Sequence, residues 1–195
     1  MKKTHLSLRK VGSFSKMFLD YIEGQDALKE FYEWKPKIES FQSAITNKAF
    51  SPANRKTLVD ALERQYDGLT CVSKLSENIH SLSGARTFTV TTGHQLNIFT
   101  GPLYFLFKLI TTINLSKKLK AHYPDYHFIP VYWMATEDHD FEEISYFNMF
   151  GKKYQWTTEQ TGAVGRFDPS SLTEVLDQVR ENVELFEKAY GRFKT

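Results

Sequence analysis

Arg86-Thr-Phe-Thr-Val-Thr-Thr-Gly-His-Gln-Leu-Asn-Ile-Phe-Thr-Gly-Pro-Leu-Tyr-Phe-Leu-Phe-Lys-Leu-Ile-Thr-Thr-Ile-Asn-Leu115 is the stretch whose reading decides the fold. Residues 86–92 are dense in Thr, Val and Phe, which suit a pleated strand. Residues 93–100 read as a loop opened by Gly93. Pro102, with a fixed φ and no N–H, suits the first turn of a helix. Leu103, Leu106, Phe107, Ile110, Ile113 and Leu115 then recur near helical spacing. Strand, loop and helix make the first half of a βαβ unit. Ligands of such folds bind beyond the carboxyl ends of the strands, so the chemistry is expected between Gly93 and Gly101.

Tyr126-His-Phe-Ile-Pro-Val-Tyr-Trp-Met134 is almost wholly apolar, as a buried parallel strand would be. Pro130 costs such a strand a ladder hydrogen bond. Thr136-Glu-Asp-His-Asp140 follows, so two polar loops are expected on one sheet edge.

Working outward, residues 1–85 read as helical, with apolar periodicity over Phe14–Ile22, Ala27–Trp34 and Ile38–Phe50. Ser51-Pro52 is a helix start, Leu58, Leu62 and Tyr66 mark one face, and Gly68 suits the stop. A further helix is predicted over Ser73–Ser83. After the βαβ unit, Glu143–Phe150 and Lys152–Thr158 flank Gly151 as a hairpin. Ser170 or Ser171 then caps a last helix with Leu172, Val175, Val179, Val183 and Phe186 on one face. The expected organisation is a helical segment over 1–85, the start of a Rossmann-type core over 86–142, and an inserted hairpin and helix over 143–195. Two parallel strands are too few for such a sheet, so the chain is expected to be the front portion of a larger protein.

The totals exclude several classes. Of 195 residues 41% are hydrophobic and 25% charged, ordinary for a globular domain. A net charge of +2 gives no basis for nucleic-acid or membrane binding. No apolar h-region follows the basic start, and residues 102–115, interrupted by Lys108 and Asn114, fall short of a membrane span. Cys71 is the only cysteine, which excludes an intrachain disulfide, fits a reducing cytoplasm, and reads as a packed small residue.

Each polar loop has a chemical reading and a plainer one. Thr100-Gly101-Pro102 opens a helix whose free N–H groups and dipole suit phosphate, and His94 offers a hydrogen bond or positive charge to developing charge. The plainer reading is a turn with an incidental histidine. Glu137, Asp138, His139 and Asp140 suit a divalent cation, an amine or ribose, or a general base. The plainer reading is a solvated loop capping the turn at Phe141, with Glu142 and Glu143 at the surface.

Val90-Thr-Thr-Gly-His-Gln-Leu-Asn-Ile-Phe-Thr-Gly-Pro-Leu-Tyr104 and Pro130-Val-Tyr-Trp-Met-Ala-Thr-Glu-Asp-His-Asp-Phe-Glu-Glu-Ile144 together resemble the cysteine-adding enzymes of bacillithiol biosynthesis, the BshC family. The resemblance is close over the middle third of the chain and looser on either side. It departs at His94, where the family usually shows Gln.

The resemblance implies a Rossmann-type core related to class I aminoacyl-tRNA synthetases. It also implies a ligase joining cysteine to the amino group of glucosaminyl-malate after ATP, with magnesium, activates the cysteine carboxylate. Thr92, Gly93, His94, Gln95, Thr100 and Gly101 are the expected nucleotide contacts. Asp138, His139 and Asp140 face substrate, with His94, Asp138 and His139 catalytic and no resident metal. A homodimer is implied through a coiled coil beyond this chain, which alone is expected to be inactive. Two alternatives stand beside it: a metal-dependent hydrolase or phosphotransferase built on Glu137–Asp140, and a non-catalytic nucleotide-binding module.

Overall fold

A computed structural model describes residues 4–70, 73–99 and 101–190, with side chains to 185. Cys71, Thr100, the Phe186 side chain and the last five residues lie outside that description. The chain divides into two compact units, Met1–Asn54 and Arg55–Thr195, so the helical segment expected over 1–85 spans both.

The first unit holds α1 (Leu8–Val11), α2 (Lys16–Glu23) and α3 (Phe41–Asn47), with 3-10 turns at Asp26–Phe31 and Ile38–Ser40. Ser15 caps α2 by accepting from Phe18 N, and Gly24, at φ 72°, ends it. The helix expected over Ala27–Trp34 is only the first of those turns; Pro36 disfavours helical backbone at Lys35. Leu19 and Ile45 are the buried apolar residues here.

From α4 (Pro52–Tyr66) the chain builds the α/β core through α5 (Ser73–Ser81), β1 (Thr87–Gln95), α6 (Leu103–His122) and β2 (His127–Ala135). Ser51 Oγ accepts from Asn54 N at 3.1 Å, the expected start of α4. β1 and β2 pair in parallel from Thr87↔His127 to Gln95↔Ala135, so both carboxyl ends open on one edge. Ile129 packs with Val59 of α4, Ile79 of α5 and Leu82 just after α5 on one face. On the other face Phe105 of α6 meets Tyr132 edge-on at 5.5 Å. The result is a three-layer helix–sheet–helix arrangement, as a Rossmann-type core requires. Arg55, buried, staples the turn into β1: its Nη1 donates to the carbonyls of Leu82 and Thr87 at 3.0 Å each.

One expectation is corrected here. Gly93, His94 and Gln95 belong to β1 and not to the loop after it. On α6, Leu106 and Leu115 are half-buried and Leu103, Phe107, Ile110 and Ile113 exposed, while Thr112, Ser116 and Leu119 are buried. Small polar residues let the helix approach the sheet closely, their hydroxyls bonding back to Lys108 O and Thr112 O. Among the described residues this sheet has two strands, so Pro130 lies on an edge strand, where it is tolerated, and Trp133 of β2 is 62% exposed.

A second core follows. The short helix α7 (Phe141–Ile144) leads into β3 (Tyr146–Met149) and β4 (Lys152–Gln155), an antiparallel hairpin. Phe150 and Gly151 both take positive φ, 50° and 75°, as a two-residue hairpin turn demands. The last helix, α8 (Leu172–Tyr190), is preceded by a 3-10 turn (Pro169–Ser171) that Asp168 caps. Ser171 accepts from Trp156 Nε1 at 2.7 Å. Tyr154, Trp156 and Val175 form this core, and Ile98 from the loop after β1 plugs into it.

Candidate functional site

The paired strand ends bring both polar stretches together. Gln95 Nε2 donates to Glu143 Oε2, tying the end of β1 to α7 directly after the second loop. Glu143, read from sequence as a surface or cap residue, is therefore part of the site.

His94 is buried, and both of its ring nitrogens face protein groups. Nε2 meets the Tyr104 hydroxyl, and Nδ1 lies 3.0 Å from Asn97 Nδ2 and 3.2 Å from Gln95 O. Asn97 Nδ2 also donates to Gln95 O at 2.9 Å, and the single Tyr132 hydroxyl proton lies between His94 O and Gln95 O, at 3.0 and 3.1 Å. Because an amide nitrogen can only donate, Asn97 Nδ2 makes Nδ1 the acceptor and leaves Nε2–H as donor to Tyr104. The Tyr104 proton is then free to point outward. Burial, and secondarily the Glu143 carboxylate, push the Tyr104 phenol above its ordinary value and keep it protonated. Burial also raises Tyr132, preserving it as donor to His94 O at 3.0 Å.

The loop is closed by glycine. Gly101 lies at φ 59°, and a Cβ there would come within 2.8 Å of Asn97 Cβ and Oδ1. Thr92, half-buried, faces α6 with its register partner Tyr132. Lys108, one turn before Thr112, donates from Nζ to Gly93 O, with the Tyr104 ring 5.5 Å away. Phe99 meets Phe147 of the hairpin in a tilted ring contact at 4.3 Å. An apolar cavity of about 430 Å³ lies behind this loop, between Leu96 and Phe99 on one side and Trp156, Phe167 and Leu172 on the other.

The second loop spends its polarity on itself. Asp138 Oδ1 accepts from Asp140 N at 2.8 Å, and Asp140 Oδ1 caps α7 by accepting from Glu143 N at 3.2 Å. Its carbonyls are taken as well: Gly165 N donates to Thr136 O at 2.9 Å and Val164 N to Asp138 O at 2.8 Å. His139 is exposed. Among the described residues no three His, Cys, Asp or Glu side chains converge as ligands for a metal ion. Sequence reasoning passed over Asn97, Tyr104, Lys108, Tyr132 and Glu143, because nothing in their spacing announces that they meet.

The whole stretch 1–194 matches the family model described as "Bacillithiol biosynthesis BshC, N-terminal Rossmann-like domain". The chain belongs to the BshC family. A protein of Flavobacterium psychrophilum named "Putative cysteine ligase BshC" is 49% identical over 187 residues, 94% of this chain and 35% of that protein. One of the same name from Flavobacterium johnsoniae is 51% identical over 174 residues, covering 88% and 33%. The Cytophaga hutchinsonii protein so named is 42% identical over 189 residues, covering 94% and 36%. The chain thus spans about a third of the length of these curated relatives. Among the described residues no helix is long and apolar enough to cross a membrane.

Proposed function

We propose that this chain is the nucleotide-facing front part of a ligase that adds cysteine to the amino group of glucosaminyl-malate, yielding bacillithiol in the cytoplasm. The observation that carries the reading is the family match over 1–194, whose Rossmann-like core opens both strand ends on one edge. ATP with magnesium would supply activation of the cysteine carboxylate.

The residues present suit a nucleotide. The first N–H groups of α6 have no side-chain cap, Gly93 and Gly101 keep the approach narrow, and the Lys108 ammonium lies nearby. Thr92, Gly93, Thr100 and Gly101 are assigned to the phosphate side. His94 and Gln95 act through their partners: His94 orients the Tyr104 hydroxyl, and Gln95 holds Glu143. Tyr104 and Glu143 thereby stand ready to hold or pass a proton at the crevice. Asp138, His139 and Asp140 line the substrate side, where Asp138 and Asp140 also fix the loop and His139 is exposed. Dimerisation is assigned to the part of the relatives that this chain does not span.

The test is mass spectrometry of a reaction containing glucosaminyl-malate, cysteine, ATP and magnesium. It is run on this chain and on the full-length Flavobacterium johnsoniae relative. Bacillithiol from the relative and none from the chain alone supports the reading. No product from the folded relative overturns it and leaves a nucleotide-binding module.

A further inference from the structure

Neither the family motifs nor the hydrophobic pattern accounts for Lys108. It occupies the sheet-facing stripe of α6, ahead of the buried Thr112, Ser116 and Leu119, where a lysine is costly unless its charge is used. Helical side chains lean toward the helix N-terminus. That lean carries the ammonium toward the open edge of the sheet, past the Tyr104 ring at 5.5 Å, to the carbonyl of Gly93. Lys108 is half-buried there, and among the described residues no carboxylate forms an ion pair with it. Glu143, the acid of this site, is engaged by Gln95. A carbonyl and an aromatic face solvate an ammonium without neutralising it, so the position favours an incoming anion.

We propose that Lys108 is an anion-binding residue of this site, its ammonium exchanging the Gly93 carbonyl for a phosphoryl oxygen of a nucleotide's polyphosphate. The phosphate specificity rests on the nucleotide reading above; the cation itself stands on the geometry. Thr112 Oγ1, bonded to Lys108 O at 2.9 Å, fixes the turn of helix from which the side chain reaches.

Isothermal titration of the 195-residue chain with ATP, inorganic tripolyphosphate and adenosine tests this. Lys108→Met is expected to weaken ATP and tripolyphosphate by about ten- to hundredfold, the worth of one charge-assisted contact, and to leave adenosine unchanged. Lys108→Arg should retain most of the affinity. Lys108→Gln keeps an N–H for Gly93 while losing the charge, and serves if the methionine disturbs the loop. Unchanged ATP affinity in a variant with wild-type circular dichroism and melting temperature overturns the role of Lys108 and spares the nucleotide reading. Tripolyphosphate binding that depends on Lys108, with no gain for ATP over it and none for adenosine, upholds Lys108 and overturns the nucleotide reading. No binding of any probe to the wild-type chain overturns both.

Discussion

The two polar stretches at the open edge of the sheet lie at paired ends of neighbouring strands, yet they are held by opposite means. After β1, side chains hold the chain: Tyr132 and Asn97 grip the carbonyl of Gln95, Tyr104 meets His94, and Ile98 is driven into the second core. After β2, backbone holds it: Val164 and Gly165 clasp the carbonyls of Asp138 and Thr136. The more charged of the two loops is thus the one whose carboxylates are spent on its own turns. Buried hydrogen-bond partners, and not charge density, mark where this edge is organised.

The largest way to break that contrast is Trp156→Ala. Trp156 is 4% exposed and shares a core with Ile98, so its loss should cost about 3–5 kcal/mol in urea denaturation and loosen the first loop. Faster amide exchange at Ile98 and Phe99 than at Thr136–Asp138 is the accompanying signature.

Gly165→Ala attacks the other side. Its Cβ would fall 2.4 Å from Thr136 Cβ and 2.8 Å from Thr136 O, both close to the backbone. A loss of about 1–3 kcal/mol is expected, with exchange rising first at residues 136–138. Equal disturbance of both loops would show that the two are one cooperative unit.

Tyr132→Phe sharpens the comparison more gently. It deletes the one hydroxyl proton that His94 O and Gln95 O share and should cost about 1 kcal/mol, measured at pH 7. Because burial raises this phenol above 10.0, its contribution is whole below pH 10 and lost as pH rises through the higher native value. The alkaline decline in stability should therefore be shallower in the variant.

Asp168 gives the smallest effect. The Ser170 backbone N–H, and then its hydroxyl, hold the carboxyl below its ordinary 3.8. Its contribution is complete above pH 3.8 and disappears as pH falls through the lowered native value. Asp168→Asn should flatten acid unfolding slightly in a circular-dichroism titration, and an unchanged curve would show that Asp168 does not matter to the second core.

Much of the fold was legible because local rules sufficed. Ser51-Pro52 starts a helix, Phe150-Gly151 turns a hairpin, and the Thr- and Val-rich run before Gly93 is a strand. Rules of one element failed where a second element decides. The end of β1 ran past Gly93 because β2 pairs with it through Gln95. On α6, apolar spacing reports a helix but not its buried stripe, which runs through Thr112 and Ser116.

By itself, the sequence determined the order of elements, the convergence of two polar stretches on one edge and, through its motifs, the BshC family. These follow from propensities and patterns carried by contiguous residues. Only the tertiary structure decided that His94 is a buried partner of Tyr104, that Glu143 belongs to the site, and that the charges of Asp138 and Asp140 cap their own loop. Those facts depend on which donors and acceptors meet across tens of residues, and no local spacing encodes that.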